Sequence, residues 1–566
     1  MLTANSGILN EKAIEEERDA KPTTIEIGGK TILISIAIIL ICLGGVALRL
    51  VPLAHSPYPY ILDGLGEARF ADDIANNGDL TPDIHARYAN THTVSTPLFD
   101  AFLAISSLII LEEPLFLIQK LIPAFAGMLL LGTFVLSIRF SGSTRVGIFA
   151  LMALASYGSF MIITQASWKE CIGLSLVPII LISLQYRIDP RMRVLSSFLI
   201  LTMPFIHHFI ALIVLLTLAF ATSTDIMLAF RKRNLTSVNL ADLIISIIAI
   251  DEALVYYSVV EFDRLEYLTP QNGLYLFLGL AIVIAIGVYY ISGRRITKMG
   301  SKAFLMVTSG LVGGLFALNI ASPIGTIDTG AHSMVSIPLT ISFVLFVLCI
   351  WGISIFSTTM EKTKTLFYSF LSAPVTLIIY ALLRAEDLMS LDILTRTVDL
   401  IDIGAFIGAG IALVFIIRES KGIRAPLVAI IASLALLSTI PIALDSEKYV
   451  GTRNTIYPFE IDAIEWAADN RGSFSIQTDT HFYYTRYLFD SIDDPSLVRR
   501  FFGTASFEPD RLMIASERWA SIGVKDLPYG WVKIDDASFT ERIDECNLLY
   551  AAGPSSTGIV VLISPN

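Results

Sequence analysis

Charge is scarce in this sequence. Asp, Glu, Lys and Arg make up 16% of the 566 residues, hydrophobic residues make up 54%, and the mean hydropathy is +0.68. This composition excludes an ordinary soluble globular protein and is typical of a polytopic α-helical membrane protein. The net charge is −11. That balance argues against nucleic acid as a partner.

Cysteine is also scarce, and its four copies lie far apart at Cys42, Cys171, Cys349 and Cys546. This spacing excludes a disulfide framework and a cysteine-based metal site. Residues 1–30 are polar and lack the apolar core of a signal peptide. They are predicted to be a cytoplasmic tail, so the first apolar run stays in the protein as an anchor.

Long apolar runs dominate what is present. A crossing helix needs about 20 apolar residues, and Lys and Arg concentrate in cytoplasmic loops. The run 194–222 has to leave and return if the basic residues 231–233 are to lie inside, so it is predicted to form two short half-spans that meet near His207 and His208. With that pair, about 13 transmembrane helices are predicted. The other eleven are 31–53, 116–138, 146–165, 171–186, 239–258, 274–293, 303–322, 335–357, 365–383, 398–417 and 425–443.

One apolar run does not fit simple alternation. Residues 95–111 form a short run that carries Asp100, and a crossing there would place the next two basic loops outside. We therefore predict an interfacial or re-entrant helix on the outer side. The loops assigned to the inside then hold 17 Lys and Arg residues, which places the N-terminus in the cytoplasm and the loop 54–115 outside the plasma membrane.

The C-terminal residues differ in composition from the rest. Residues 445–566 hold 19 Asp and Glu against 11 Lys and Arg. Helical spacing of apolar residues begins at Ile461, and the stretch GIVVLIS near the end is typical of a strand. The predicted organisation is a tail over 1–30, a transmembrane domain over 31–444 and a small extracytoplasmic α/β domain over 445–566.

The order of motifs along the first third carries a resemblance. A first helix ends in LRLVPL, an outer loop follows with ILDGLGEARFADDIANNGDL, and STPLFDAFLAIS and ITQASWKECIGLSL come next. This series resembles the GT-C superfamily of membrane glycosyltransferases, which includes the oligosaccharyltransferase catalytic subunit, protein mannosyltransferases and aminoarabinose transferases. The resemblance covers residues 31–222. It implies a GT-C-like arrangement of the helices.

The resemblance also implies positions for the chemistry. In such enzymes an acid just after the first span lies at the catalytic centre, and the similar position here is Asp63. A second acidic motif follows the third crossing, where this chain has Lys169 and Glu170. The GTID sequence ending at Asp328 is similar to a Thr-Ile-x-Glu element of the oligosaccharyltransferase subunit. The Trp-Trp-Asp-Tyr-Gly motif of that subunit is absent, which leaves the acceptor open.

Sugar transfer from a polyprenyl-phosphate-linked donor needs a base for the acceptor and cations or donors for the departing phosphate. Carboxylates can also act by holding Mg²⁺ or Mn²⁺. The candidate catalytic residues are Asp63 and Glu170. The other candidates are Lys169, His207, His208, Glu67 and Arg69 for substrate binding, and Asp63, Asp328 and His332 for a metal ion.

Several of these residues can instead have a structural role. Asp63 can cap the helix that the following residues predict, Glu67 can lie on a solvated face, and Lys169 with Glu170 can form a salt bridge at headgroup level. The functional prediction is transfer of a sugar or oligosaccharide to a protein, lipid or glycan acceptor on the outer face. A transporter of a lipid or small solute, for which broken helices and intramembrane acids are also typical, and a non-catalytic GT-C relative remain as alternatives.

Overall fold

The fold is described from a computed structural model of the chain. Residues 29–41 belong to a compact unit separate from residues 42–566, which contain all of the site described below. The structure describes residues 29–81, 93–186, 189–231, 233, 240–260, 273–293, 345, 347–353, 363–384, 388–420, 422–444, 455–489, 492–495, 497–498, 511–521, 523–526, 530–532, 534–554 and 558–563.

Nearly all of the described residues between positions 29 and 444 are in helices. In chain order they are α1 Gly29–Arg49, α2 Pro52–His55, α3 Asp63–Asn77, α4 Leu98–Ile110, α5 Pro114–Ser141, α6 Thr144–Ser156, α7 Gly158–Gln165, α8 Lys169–Gln185, α9 Pro190–Ile206, α10 His208–Arg231, α11 Leu240–Val259, α12 Leu274–Gly293, α13 Lys364–Arg384, α14 Leu388–Glu419, α15 Arg424–Leu437 and α16 Ile440–Leu444. Within the described residues, six helices are long and apolar enough to cross a membrane. The chain is therefore an integral membrane protein.

Helices lie at most of the predicted crossings that fall within the described residues. The predicted break near His207 is confirmed, but α10 has 24 residues and is a full-length span rather than a short half-span. Helix α14 begins at Leu388, so much of the loop predicted before 398 is helical. The predicted crossing 303–322 and most of 335–357 lie outside the described residues, and the total of 13 stays a prediction.

Helix α4 has the length expected of a segment that does not cross. Its 13 residues reach roughly 20 Å at 1.5 Å per residue, against the 30 Å or so of a hydrocarbon core. The side chain of Asp100 is fully buried, whereas Ile109 and Leu111 at the other end are largely exposed. The interfacial or re-entrant placement of this helix stays a prediction.

The predicted crossing 146–165 is interrupted at Tyr157, where the backbone leaves helical geometry between α6 and α7. Arg49 lies buried at this break. Its Nε donates to Thr164 Oγ1 at 2.6 Å, and its two terminal nitrogens donate to the carbonyl oxygens of Leu154 at 2.8 Å and Ala155 at 3.3 Å. The last carbonyls of a helix lack partners within it and carry partial negative charge. The arginine of LRLVPL therefore stabilises the broken helix that leads to the site.

The C-terminal residues contain a five-stranded sheet with the order β2-β1-β3-β7-β6. Strand β1 is parallel to β2 and β3, and β7 is antiparallel to β3 and β6. Apolar clusters cover both faces of the sheet. The strands are β1 Ser475–Gln477, β2 Ile492–Asp494, β3 Arg511–Ser516, β4 Val524–Asp526, β5 Gly530–Val532, β6 Asn547–Ala552 and β7 Ile559–Ile563, and the helices are α17 Pro458–Asn470, α18 Thr480–Tyr483, α19 Arg518–Ser521 and α20 Asp536–Asp544.

Candidate functional site

Helix α3 carries the first candidate acid. It begins at Asp63, has Leu62 at the N-cap position and ends where Gly78 adopts a left-handed conformation with φ 77°. An acidic residue in the first turn is favourable because it faces the positive end of the helix dipole. The helix predicted to follow Asp63 is confirmed, but Leu62 holds the N-cap position and Asp63 lies in the first turn, so the predicted capping role of Asp63 is wrong.

The turn before Asp63 is fixed by the bundle. The backbone N–H of Tyr60 donates to Gln119 Oε1 at 2.8 Å, and the N–H of Ser167 donates to the Tyr60 carbonyl at 2.8 Å. The next residue, Ile61, adopts a φ of 79°. A β-branched residue rarely takes this conformation, which costs about 1–3 kcal/mol. The surrounding hydrogen bonds therefore hold Asp63 in a defined place.

Gly64 brings α3 against the segment that precedes α8. A Cβ atom at this position would lie 2.7 Å from Ser167 Cβ and 2.8 Å from the Ser167 carbonyl oxygen. Because real Cβ contacts are longer than this, only glycine allows the approach. The start of α3 is thus in direct contact with the residues leading to Lys169 and Glu170.

A buried charge cluster joins α3, α4 and α8. Lys169 Nζ lies 2.8 Å from Glu67 Oε2 and 2.6 Å from Asp100 Oδ2, and the three side chains are at most 4% exposed. The ammonium also donates to the carbonyl oxygens of Thr93 at 2.6 Å and Thr96 at 2.8 Å. With its hydrogen-bonding capacity used by protein groups, Lys169 is better suited to fixing α3 than to receiving a phosphate.

Glu170 lies on the other side of the first turn of α8. Its carboxylate is buried, and Oε2 is 3.8 Å from Arg396 Nη1 on α14. The Arg396 side chain is 22% exposed, and its guanidinium carbon lies 5.9 Å from the centre of the Trp168 ring. Arg396 is therefore a partly accessible cation beside one predicted catalytic acid.

The C-terminal residues touch α3 directly. A Cβ atom on Gly66 would lie 3.3 Å from Cε2 of Tyr487, so the tyrosine ring rests against the helix one turn after Asp63. The guanidinium of Arg486 lies 5.3 Å from the centre of that ring. Burial raises the pKa of Tyr487, the Asp63 and Glu67 carboxylates act in the same direction, and a hydrogen bond with Arg486 lowers it.

His207 and His208 lie at the break between α9 and α10. Their rings are stacked with centres 4.9 Å apart, and His207 is buried with its Nδ1 accepting from the backbone N–H of Ile210 at 3.4 Å. This bond satisfies a donor in the first turn of α10, which is a structural role. Their predicted part in substrate binding stays a prediction.

The remaining candidates have different surroundings. Arg69 is 42% exposed, and it forms ion pairs at 3.7 Å with Asp72 and Asp73 of its own helix. Asp328 and His332 lie outside the described residues. Among the residues that the structure describes, no three His, Cys, Asp or Glu side chains are grouped to hold a metal ion.

No protein-family model matches the sequence, and no curated protein matches it either. Among solved structures, the archaeal oligosaccharyltransferase AglB from Archaeoglobus fulgidus, in complex with an inhibitory peptide and a dolichol-phosphate, matches with a TM-score of 0.51 and 11% identity over 94% of this chain and 74% of that chain. ArnT from Cupriavidus metallidurans bound to undecaprenyl phosphate matches over 94% of this chain and 99% of that chain, with a TM-score of 0.38 and 10% identity. The arabinofuranosyltransferase AftD from Mycobacteria matches over 93% of this chain and 40% of that chain, with a TM-score of 0.42 and 13% identity.

The match to AglB shows that this chain shares the fold of that solved structure. At the level of the fold, it confirms the resemblance found in the sequence. At 11% identity the likeness establishes the fold alone.

Proposed function

We propose that this protein transfers a sugar or oligosaccharide from a polyprenyl-phosphate-linked donor to a protein, lipid or glycan acceptor on the extracytoplasmic face of the membrane. The observation that carries the proposal is the docking of the Asp63 turn against the residues that lead to Lys169 and Glu170, in a chain with the AglB fold. The AglB structure holds a dolichol-phosphate and a peptide, which supports a lipid-phosphate donor here.

In the proposed reaction the acceptor attacks the anomeric carbon of the donor sugar. The bond from that carbon to the phosphate oxygen breaks, and polyprenyl phosphate leaves with the electron pair. Asp63, half-buried at the start of α3, takes the acceptor proton as general base. Arg396 faces the departing phosphate, since a guanidinium binds phosphate well and this one is partly accessible. Glu170 holds Arg396 in place and is the second candidate acid.

Lys169 is assigned a positioning role in this scheme. Removing the ammonium would leave two buried carboxylates facing each other, which is strongly unfavourable. Glu67, predicted to bind substrate, is one of those carboxylates and belongs to the same support. Both residues then act on the reaction through the placement of Asp63.

The proposed scheme does not use a divalent cation. Mg²⁺ and Mn²⁺ take about six ligands, preferably oxygen, and the described residues do not group three metal-ligating side chains. Asp63 alone would be one ligand of the predicted set, and the other two, Asp328 and His332, lie outside the described residues. No step is assigned to a metal ion.

The transporter alternative makes a different chemical prediction. A transporter moves its lipid intact, whereas a transferase releases polyprenyl phosphate. Two features favour transfer: the long polar loop directly after the first span, and the contact between α3 and the C-terminal residues through Tyr487. Release of polyprenyl phosphate from a purified sample distinguishes a transferase from a transporter and from a non-catalytic relative.

The test is a comparison of two Asp→Asn variants on one helix. Asp63→Asn keeps the side-chain volume but removes the charge, and Asp72→Asn makes the same change at a position that is 41% exposed. With the purified protein in lipid nanodiscs and a radiolabelled polyprenyl-phosphate-linked sugar, we expect Asp63→Asn to lose on the order of a hundredfold or more in turnover. Asp72→Asn should match the wild type. Equal turnover in both variants would exclude Asp63 and leave Glu170 as the acid to test.

A further inference from the structure

Two neighbouring tyrosines on α11 each make one long-range hydrogen bond. Tyr256 Oη donates to the Ser95 carbonyl oxygen at 2.9 Å, and Tyr257 Oη donates to the Pro204 carbonyl oxygen at 2.9 Å. Consecutive helical residues point about 100° apart, so one turn of helix can reach two separate segments. Neither residue has a role in the scheme above.

The Tyr256 bond ends in the segment that surrounds Lys169. Ser95 lies between Thr93 and Thr96, whose carbonyl oxygens accept hydrogen bonds from the Lys169 ammonium at 2.6 Å and 2.8 Å. Tyr256 thus fixes the backbone that in turn fixes the buried charge cluster.

The Tyr257 bond ends at the helix break. Helix α9 stops at Ile206, and the last carbonyls of a helix have no partner within it. The Met203 carbonyl accepts from the His207 N–H, and the Pro204 carbonyl accepts from the buried Tyr257 hydroxyl. Tyr257 therefore satisfies a carbonyl that the break at His207 leaves open.

We propose that Tyr256 and Tyr257 are positioning residues of the candidate site, which tie the segment around Lys169 and the break at His207 to one turn of α11. The two bonds hold the charge cluster and the stacked histidines at a fixed separation. The role of the two tyrosines in catalysis rests on the proposed function. Their structural role rests on the two hydrogen bonds alone.

Hydrogen exchange tests the structural statement without any activity. The full chain in nanodiscs is compared as wild type, Tyr256→Phe, Tyr257→Phe and the control Tyr275→Phe, whose tyrosine is 73% exposed on α12. Phenylalanine keeps each ring and removes only the hydroxyl. We expect Tyr256→Phe to speed exchange in residues 93–101 about fivefold, the size for one lost hydrogen bond, and Tyr257→Phe to do so in residues 203–210. Exchange indistinguishable from the control, or raised uniformly along the chain, overturns the proposal.

A double-mutant cycle tests the catalytic statement. Asp100→Asn keeps the shape of the charge cluster and weakens its hold on Lys169. If Tyr256 acts through that cluster, Tyr256→Phe and Asp100→Asn should combine to a smaller loss in kcat than the product of their separate losses, whereas Tyr257→Phe and Asp100→Asn should multiply. Multiplicative losses in both cycles refute the route through Lys169. If the wild type releases no polyprenyl phosphate, the proposed function fails while the exchange result still decides the structural statement.

Discussion

The close approach of α3 to the bundle predicts a graded series of Gly→Ala substitutions. At Gly64 the added methyl would lie 2.7 Å from Ser167 Cβ and 2.8 Å from the Ser167 carbonyl oxygen. At Gly66 it would lie 3.3 Å from the Tyr487 ring, and at Gly44 it would meet nothing within 4 Å. All three glycines lie in helices, where alanine is preferred by about 1 kcal/mol.

The distances set the expected order of the effects. Carbon atoms pack at about 3.5 Å or more, so Gly64→Ala requires a shift of about 0.8 Å against Ser167, whose backbone N–H is held by the Tyr60 carbonyl. Overpacking of this kind costs about 1–3 kcal/mol, which exceeds the gain in helix propensity. A displacement of about 1 Å at a reacting group can also lower turnover by about a hundredfold. Gly66→Ala requires the Tyr487 side chain to move by only a few tenths of an ångström. We therefore expect a much smaller loss of stability and turnover.

Two measurements on the same samples check this order. Thermal unfolding of each purified variant in nanodiscs should give a lower midpoint for Gly64→Ala and an unchanged or higher one for Gly44→Ala. Release of polyprenyl phosphate should fall most for Gly64→Ala. A Gly64→Ala protein with the stability and turnover of Gly44→Ala would refute the argument that the contact with Ser167 positions Asp63.

Two further predictions concern the C-terminal residues and the topology. Because the pKa of Tyr487 is raised in the folded state, the stability linked to its neutral form is present below the ordinary tyrosine pKa of about 10 and is lost as pH rises through the higher folded value. Unfolding midpoints between pH 8 and 11 should therefore fall more steeply for wild type than for Tyr487→Phe, and parallel curves would contradict the docking on α3. In a variant with Cys546 replaced, cysteines at the exposed positions Asn76 and Asn470 should react with an impermeant thiol reagent on intact cells while one at Thr144 should not. Labelling of Thr144→Cys without lysis would show that the predicted orientation is wrong.

Much of the helical fold follows from length and periodicity. An apolar run long enough for the bilayer has few alternatives to a helix, so the long spans at 116–138 and 274–293 are close to the observed helices. The break at Tyr157 was missed because residues 146–155 and 160–163 are apolar on either side of it, and because Arg49, which binds the carbonyls there, is more than 100 positions away. Local patterns contain no information about such a partner.

The candidate site, too, could be predicted only in part from the sequence. The position of Asp63 and the pair Lys169 and Glu170 could be predicted, because polar residues at the ends of apolar runs stand out and the order of motifs resembles a known superfamily. Arg396 and Tyr487 were missed. Each comes from an element far along the chain, and its place beside Glu170 or α3 depends on tertiary packing. The only signal for Arg396 was its place, with Arg384, in the loop predicted between 383 and 398.

The charges around α3 explain why its support is built from buried groups. Glu67 and Asp100 place two carboxyl groups against the one ammonium of Lys169. Burying such a set is costly unless hydrogen bonds satisfy it, and the Thr93 and Thr96 carbonyls supply acceptors to the same ammonium. An arrangement that stays buried before any substrate arrives does not have to reorganise during the reaction, and that is the condition under which fixed charges lower a barrier most. The cluster is therefore better understood as a fixed support that keeps Asp63 in place than as a binding surface.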